Sequence, residues 1–166
     1  MLMFGDEGED LLTVVALLTT SLAGAAGGHA GSSLSALVKT AFNTKLRKAI
    51  VVDGRGRTLY MLTSDTGGTS VCYAKLDPRC LVWWRPLTSS GPPRAGAGIK
   101  ASLLGAFKRE DSKIQVRYNR HPLYYFHGGS GAGRGDTKPG DIEGQGFLQV
   151  WYVLSPRGTP IRTKVT

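Results

Sequence analysis

Two copies of a short β phrase constrain the fold of this chain more than any other feature. Residues 56–62 run Gly-Arg-Thr-Leu-Tyr-Met-Leu, and residues 120–126 run Arg-His-Pro-Leu-Tyr-Tyr-Phe. A β-branched run precedes each copy, at residues 50–52 and 114–116, and a tryptophan follows each copy, at Trp84 and Trp151. Such self-similarity predicts two related β units that are each too small to bury a core alone and that pack together.

The turns between the short apolar runs predict an all-β domain. Asp53–Gly56 and Asn119-Arg120 each lie between two β runs and predict hairpin turns. We expect two tandem hairpin or meander repeats that share one core, as a sandwich or a small barrel. The side chains expected to be largely buried in that core are Tyr60, Leu62, Trp84, Tyr124, Phe126 and Trp151.

The predicted organisation is one β domain with short flanking segments. The domain spans residues 47–158, with repeats at 47–87 and 113–158 joined by a linker and a short element at 88–112. Residues 31–46 form a flexible lead-in, and residues 159–166 form a tail.

The first thirty residues contain an apolar run from Leu11 to Ala26. This run is short for a membrane span but suits the apolar part of a secretory signal peptide. Four acidic residues precede it, where a signal peptide carries positive charge. We predict a signal peptide or an N-terminal anchor at residues 1–30, built on a hydrophobic helix, and a buried helix of a cytosolic protein is the other alternative.

The two cysteines of the chain are Cys72 and Cys80. In an exported protein such a pair predicts a disulfide that closes a small loop. Two free thiols are the alternative. A structural zinc site is disfavoured because it requires four ligands.

The charge of the chain is positive and unevenly distributed. Residues 1–30 carry four acidic and no basic side chains, which leaves 21 basic and 8 acidic side chains in residues 31–166. A field of this sign attracts polyanions. Because the basic residues are scattered, we expect an anionic cell-wall polymer or a membrane surface as the partner, and no specific nucleic acid.

Several segments of the chain resemble a family of bacterial secreted proteins and lipoproteins with a Tyr-x-aromatic-x-x-Asp motif that usually appears twice. The second copy carries the more specific likeness, in residues 121–126, 138–141, 144–146 and 151–158, and the first copy carries it in residues 51–60 with Asp65, Trp84 and Pro86. The likeness covers roughly residues 48–158. It implies export and a repeated β unit, with no established activity, cofactor or catalytic residue.

The chain departs from this motif at three points. Leu62 stands where the first copy should have an aromatic residue, and Gly129 stands at the aspartate position of the second copy, with Asp136 following an insertion of glycines. The cysteines are also further apart than in the family pattern. In the motif, residues i and i+2 of a strand share a face and can fill a core, while the aspartate accepts backbone N–H groups of the next turn. The alternative is an aromatic stacking platform for a sugar, a haem or a base.

The long glycine-rich loop at residues 127–146 is the predicted place for a ligand, since function concentrates on long loops over a rigid scaffold. The candidate ligand-binding residues are His121, Tyr124, His127, Asp136 and Asp141. We predict no catalytic residue, no metal site and no cofactor. The predicted function is an exported cell-envelope module for binding or structure. The alternatives are a metal- or haem-binding redox-associated envelope protein and a hydrolase with its site at the 127–146 loop.

Overall fold

Short strands dominate the structure, as the sequence predicts. The computed structural model describes residues 35–73 and 77–164. The predicted signal peptide or anchor and its hydrophobic helix lie outside these residues. The elements of the described part are β1 (Leu37–Asn43), β2 (Lys48–Asp53), β3 (Tyr60–Leu62), α1 (Pro78–Trp83), β4 (Trp84–Pro86), β5 (Arg94–Ala95), β6 (Leu104–Lys108), β7 (Ile114–Tyr118), β8 (His121–Pro122), β9 (Tyr124–Phe126), β10 (Gly128–Gly129), β11 (Gly133–Arg134) and β12 (Trp151–Val153). No helix in this part of the chain has the length and apolar character needed to cross a bilayer.

The central sheet interleaves the two repeats. Its strand order is β12-β3-β9-β4, and every pair is antiparallel. β3 and β9 carry the repeated phrase and meet with Tyr60 opposite Tyr124. The tryptophan strand of each repeat pairs with the tyrosine strand of the other, since β4 lies on β9 and β12 lies on β3. Neither repeat can therefore complete this sheet alone.

Both faces of the central sheet are buried, so the chain has two packed clusters. One face carries Tyr60, Tyr124 and the two tryptophans, and the other carries Leu59, Met61, Leu123 and Leu154. The six side chains expected in the core are confirmed there, with relative exposures between 0% and 7%. The i, i+2 spacing of the motif places its apolar pair on one face, as predicted.

Each repeat begins one strand earlier than the sequence analysis placed it. β1 pairs with β2 over six residues, and β6 pairs with β7 over five in the corresponding register. Residues 31–46 were expected to be a flexible lead-in, and β1 lies within them. β6 lies within residues 88–112, where a linker with a short element was expected. β1 alternates poorly between apolar and polar residues, so its pattern did not indicate a strand. The structural repeats are residues 37–87 and 104–154.

The predicted turns are present. Gly56 donates its N–H to the Asp53 carbonyl, and the Asp53 carboxylate accepts the N–H groups of Arg55 and Arg57. Asn119 and Arg120 both have positive φ, which is the two-residue turn that matches the twist of a hairpin.

A short helix and a buried amide complete the local structure. α1 begins where Asp77 caps its first turn and Pro78 stands at its first position. Gln115 of β7 is fully buried. Its side chain accepts a hydrogen bond from Arg109 and donates one to the Leu123 carbonyl, which satisfies the buried amide. The Cys72–Cys80 disulfide is confirmed.

Candidate functional site

The repeated tyrosines exchange partners between the two repeats. The Tyr60 hydroxyl of the first repeat donates to Asp136 Oδ2 of the second at 2.6 Å. The Tyr124 hydroxyl of the second repeat donates to Asp65 Oδ2 of the first at 2.7 Å. Each motif is thus completed by the aspartate of the other copy, which links the halves through two charge-assisted hydrogen bonds.

The two aspartates hold equivalent loops. The second oxygen of Asp65 accepts the Val71 N–H at 2.8 Å, and the second oxygen of Asp136 accepts the Glu143 N–H at 2.8 Å. Each carboxylate therefore ties down the loop that follows it, as the motif predicts. The Tyr124 hydroxyl also lies 2.7 Å from Ser70 Oγ, and the Gly144 N–H donates to the Tyr60 hydroxyl at 3.3 Å.

A small hairpin explains the displaced aspartate of the second copy. β10 and β11 pair with Gly128 opposite Arg134, and the Asp136 N–H then bonds the Phe126 carbonyl. The insertion is thus looped out, and Asp136 returns to the end of β9. A Cβ at Gly128 would lie 2.3 Å from the Gly133 carbonyl oxygen, and one at Gly135 would lie 2.2 Å from the His127 backbone. The glycines permit this close backbone approach.

The tryptophans stack at the centre of the same cluster. Trp84 and Trp151 lie parallel, with ring centroids 3.9 Å apart and an interplanar angle of 2°. Tyr60 approaches Trp84 edge-on at 5.3 Å, and Tyr124 approaches Trp151 edge-on at 5.0 Å. The motif aromatics therefore fill the core in a two-fold arrangement and form no open stacking platform for a ligand.

Burial perturbs the ionisable groups of both pairs. It raises the pKa of Asp65 and that of Asp136 to about 6, against the opposing hydrogen bonds from tyrosine and backbone. Burial, and then the adjacent carboxylate, raises the pKa of Tyr60 and of Tyr124 well above 10. At neutral pH the hydroxyls thus remain donors to ionised carboxylates.

These pairs predict a stability that falls as pH rises. The folded pKa of Asp136 exceeds its unfolded value of about 4, so proton binding favours the folded state. This contribution is complete below about pH 4 and is lost as pH rises through about 6. Relative to the Asp136→Asn variant, we expect the free energy of unfolding of the wild type to increase by up to about 1.4 kcal/mol per pH unit on acidification within that window. Urea titrations across pH test this, and a carboxyl NMR midpoint near 4 for Asp136 would contradict it.

The predicted ligand-binding residues do not form one cluster. Tyr124 is buried in one exchanged pair and Asp136 belongs to the other. The Asp141 carboxylate accepts hydrogen bonds from Thr137 and Lys138 in its own turn, and backbone donation lowers its pKa. Each of these three side chains thus already makes hydrogen bonds within the protein.

The two histidines are placed differently from each other. His121 is half-buried, its pKa is lowered by burial, and its Nδ1 finds no hydrogen-bond partner among the described residues. His127 is exposed, and burial followed by the charges of Arg85 and Arg57 lowers its pKa. Within residues 35–73 and 77–164, no group of three or more potential metal ligands comes together.

A buried arginine beside Cys72 has no counterpart among the residues predicted from the sequence. Arg109 is 2% exposed and donates to Gln115 Oε1, to the Cys72 carbonyl and to Asp111. Its guanidinium also lies 4.6 Å from the centre of the Tyr73 ring. Asn43 occupies the same position in the first repeat and donates to the Gly140 carbonyl. Because the two repeats have different residue types here, comparing their sequences does not reveal that the positions are equivalent.

Basic side chains dominate the exposed polar surface. Five salt bridges occur in the described part, and Glu143 takes part in two of them, with Lys45 and Arg134. Other carboxylates, such as those of Asp65, Asp136 and Asp141, accept hydrogen bonds from groups within the protein. Two adjoining open grooves of about 490 and 560 Å³ share Arg162 and Thr163, the first with Lys48 and the second with Lys164.

One family model matches the chain. Residues 105–155 match a family described as a secreted repeat of unknown function. The matched range coincides with the second structural repeat, which begins at β6 rather than at residue 113. The family description and the Cys72–Cys80 disulfide together indicate a location outside the cytoplasm. No curated protein and no solved structure matches the chain significantly.

Proposed function

We propose that this chain is an exported, non-enzymatic module that adheres to an anionic polymer of the cell envelope. The observation that carries the proposal is that acidic and basic side chains occupy different places in the structure. Carboxylates lie mostly in internal hydrogen bonds, whereas most arginine and lysine side chains are exposed. The field that a partner meets is therefore more positive than the composition alone implies.

The pair of grooves beside Arg162 is the proposed contact surface. Lys48, Arg162 and Lys164 supply cations, and Ser155, Thr159 and Thr163 supply hydroxyl groups. The Arg162 guanidinium lies 4.8 Å from the centre of the Tyr152 ring, which holds it between the grooves. Cations with hydroxyl donors around an open groove suit a polymer with repeated phosphate or carboxylate groups.

Co-sedimentation with purified anionic cell-wall polymer tests the proposal. We expect binding at about 50 mM salt that weakens steeply towards about 500 mM, because screening shortens the reach of surface charges. Lys48→Glu, Arg162→Glu and Lys164→Glu combined should weaken binding at least about tenfold. The matched control combines Arg55→Glu, Arg94→Glu and Lys100→Glu, three exposed cations outside these grooves, and should change binding less than about threefold.

Three results would contradict the proposal. Equal losses in both triple variants would contradict the assignment to the grooves beside Arg162. Binding that is insensitive to salt would contradict an electrostatic basis. Binding to vesicles that contain anionic lipid, without binding to the polymer, would identify a membrane surface as the partner instead.

A further inference from the structure

We propose that β6 is a docking edge for an extended acidic polypeptide segment, which adds to it as a parallel strand. β6 is the outer strand of the sheet β6-β7-β8. The proposal concerns a site separate from the grooves beside Arg162 and does not rest on them.

Within residues 35–73 and 77–164, nothing pairs with the backbone groups on the outer side of β6 beyond its first residue. Its inner groups pair with β7, in register with Gly105 opposite Arg117 and Phe107 opposite Gln115. The alternate residues Leu104, Ala106 and Lys108 turn their N–H and C=O groups outward. The Leu104 N–H closes the preceding helical turn onto Ala101. For Ala106 and Lys108, no hydrogen bond to another described residue involves the outward groups.

The first repeat shows what covers the equivalent edge. β1 corresponds to β6, and its outer side is paired in parallel with β5, with Val38 opposite Ala95. The Arg94 and Gly96 N–H groups donate to the Ala36 and Val38 carbonyls. A Cβ at Gly96 would lie 3.0 Å from the Lys39 Cβ, so the covering segment approaches β1 closely at a position where it carries no side chain. The internal repeat thus supplies the template for the missing strand.

The segment of the second repeat that corresponds to β5 does not pair with β6. In the first repeat β5 follows β4 after a short segment, and at the same distance after β12 the second repeat has Ile161. The Ile161 N–H instead donates to the Val153 carbonyl, and its side chain is buried. This diversion leaves β6 uncovered by the segment that its symmetry would assign to it.

The surroundings of β6 specify the charge of the occupant. An open groove of about 510 Å³ adjoins the start of β6 and is lined by Leu104, Gly105, Arg117 and Arg120. In the first repeat, Arg94 of β5 lies opposite Leu37. Leu37 corresponds to Leu103 of the second repeat, which lines this groove. The residue that takes the place of Arg94 on an added strand would therefore lie beside the groove. Two guanidinium groups there suit a carboxylate on the added strand. The cations also disfavour pairing of β6 with a second copy of this positively charged chain.

NMR titration of the full chain tests the proposal with a defined probe. The probe is the heptapeptide Pro-Pro-Glu-Ala-Gly-Ala-Gly, which copies residues 92–98 with glutamate in place of arginine. We expect the largest shifts at the amides of Ala106 and Lys108 and a dissociation constant below about 1 mM. The unaltered peptide Pro-Pro-Arg-Ala-Gly-Ala-Gly should bind at least about tenfold more weakly.

Two variants distinguish binding at the β6 edge from nonspecific attraction of the acidic peptide to a positively charged protein. Ala106→Pro removes the outward N–H and keeps the ladder to β7, because an edge strand tolerates proline where its N–H faces outward. Arg120→Glu reverses one cation of the groove. Each should weaken binding at least about tenfold. The control Arg55→Glu alters an exposed cation in the corresponding turn of the first repeat, where β5 already covers the edge, and should leave binding unchanged.

The proposal fails if the titration gives no shift at about 5 mM peptide, or shifts confined to residues outside β6 and the groove. It also fails if the Ala106 and Lys108 amides are already protected from hydrogen exchange in the free full chain, since another segment or a second copy then covers the edge. If the Ala106→Pro variant does not fold, the affinities of the Arg120→Glu and Arg55→Glu variants for the glutamate peptide are compared instead. Equal affinities would overturn the proposal.

Discussion

Replacing Trp84 by alanine should cost about 3–5 kcal/mol of unfolding free energy. Trp84 is 1% exposed and stacks on Trp151 at 3.9 Å, with Phe126 at 4.5 Å and Tyr60 at 5.3 Å between ring centroids. Its loss leaves a cavity where the tryptophan and tyrosine strands of both repeats meet, so neither half can close over it alone. A loss of this size is a large fraction of the stability of an ordinary domain. Urea denaturation measures it.

Trp83→Ala is the matched control for this prediction. Trp83 precedes Trp84 in the chain but is only partly buried, and it contacts Phe147 and the Arg79 guanidinium at the surface. We expect its removal to cost about 1 kcal/mol. If the two variants lose the same stability, the stacked pair is not the centre of the core.

Tyr124→Phe should cost about 3 kcal/mol of unfolding free energy, although it removes a single oxygen atom. That oxygen donates to Asp65 Oδ2 and lies beside Ser70 Oγ, both buried. Without it, the buried Asp65 carboxylate keeps the Val71 N–H but loses the donor to its other oxygen. A buried charge that loses a donor costs more than an average hydrogen bond. Because the Tyr124 hydrogen bond opposes the effect of burial, the pKa of Asp65 should also rise further in the variant. Denaturation and carboxyl NMR measure the two effects.

The adjacent Tyr125 provides the control. Its hydroxyl donates to Asp53 Oδ2, but this carboxylate keeps the N–H groups of Arg55 and Arg57 and the Arg57 guanidinium as donors. Tyr125→Phe should therefore cost about 1 kcal/mol or less. A loss as large as that of Tyr124→Phe would show that removing a tyrosine hydroxyl from this sheet costs the same whether or not it belongs to an exchanged pair.

The duplicated phrase was enough to predict the shared core, because residues two apart on a strand must share a face. Tyr60, Trp84 and their counterparts are buried as that rule requires. The disulfide followed from cysteine usage in an exported chain. These features depend on local periodicity and on residue type, which the sequence displays directly.

The exchange of partners could not be predicted, because it depends on which repeat supplies the neighbouring strand. Tyr60 and Asp65 are close in sequence, so local reasoning pairs them within one motif, yet the strand order pairs Tyr60 with Asp136. The strand at residues 37–43 was also missed, since it lacks a clear alternation, and the short element expected before residue 113 was not distinguished as a strand at residues 104–108. Their identity as strands comes from pairing with β2 and β7.

Three of the predicted ligand residues, His127, Asp136 and Asp141, were chosen from a loop whose length suggested function. The loop is long because it contains a looped-out hairpin at residues 128–134 and because Asp136 and Asp141 fasten its remainder. Sequence alone cannot distinguish a carboxylate that awaits a ligand from one that holds its own backbone, since both favour glycine-rich segments.

Double-mutant cycles measure the exchange between repeats most directly. One cycle combines Tyr60→Phe with Asp136→Ala, a pair in contact across the repeats, and the other combines Tyr60→Phe with Asp65→Ala, a pair within one motif. We expect a coupling free energy of about 1–3 kcal/mol in the first cycle and less than about 0.5 kcal/mol in the second. Coupling confined to the Tyr60 and Asp65 cycle would show that each repeat closes on itself and would contradict the interleaved core.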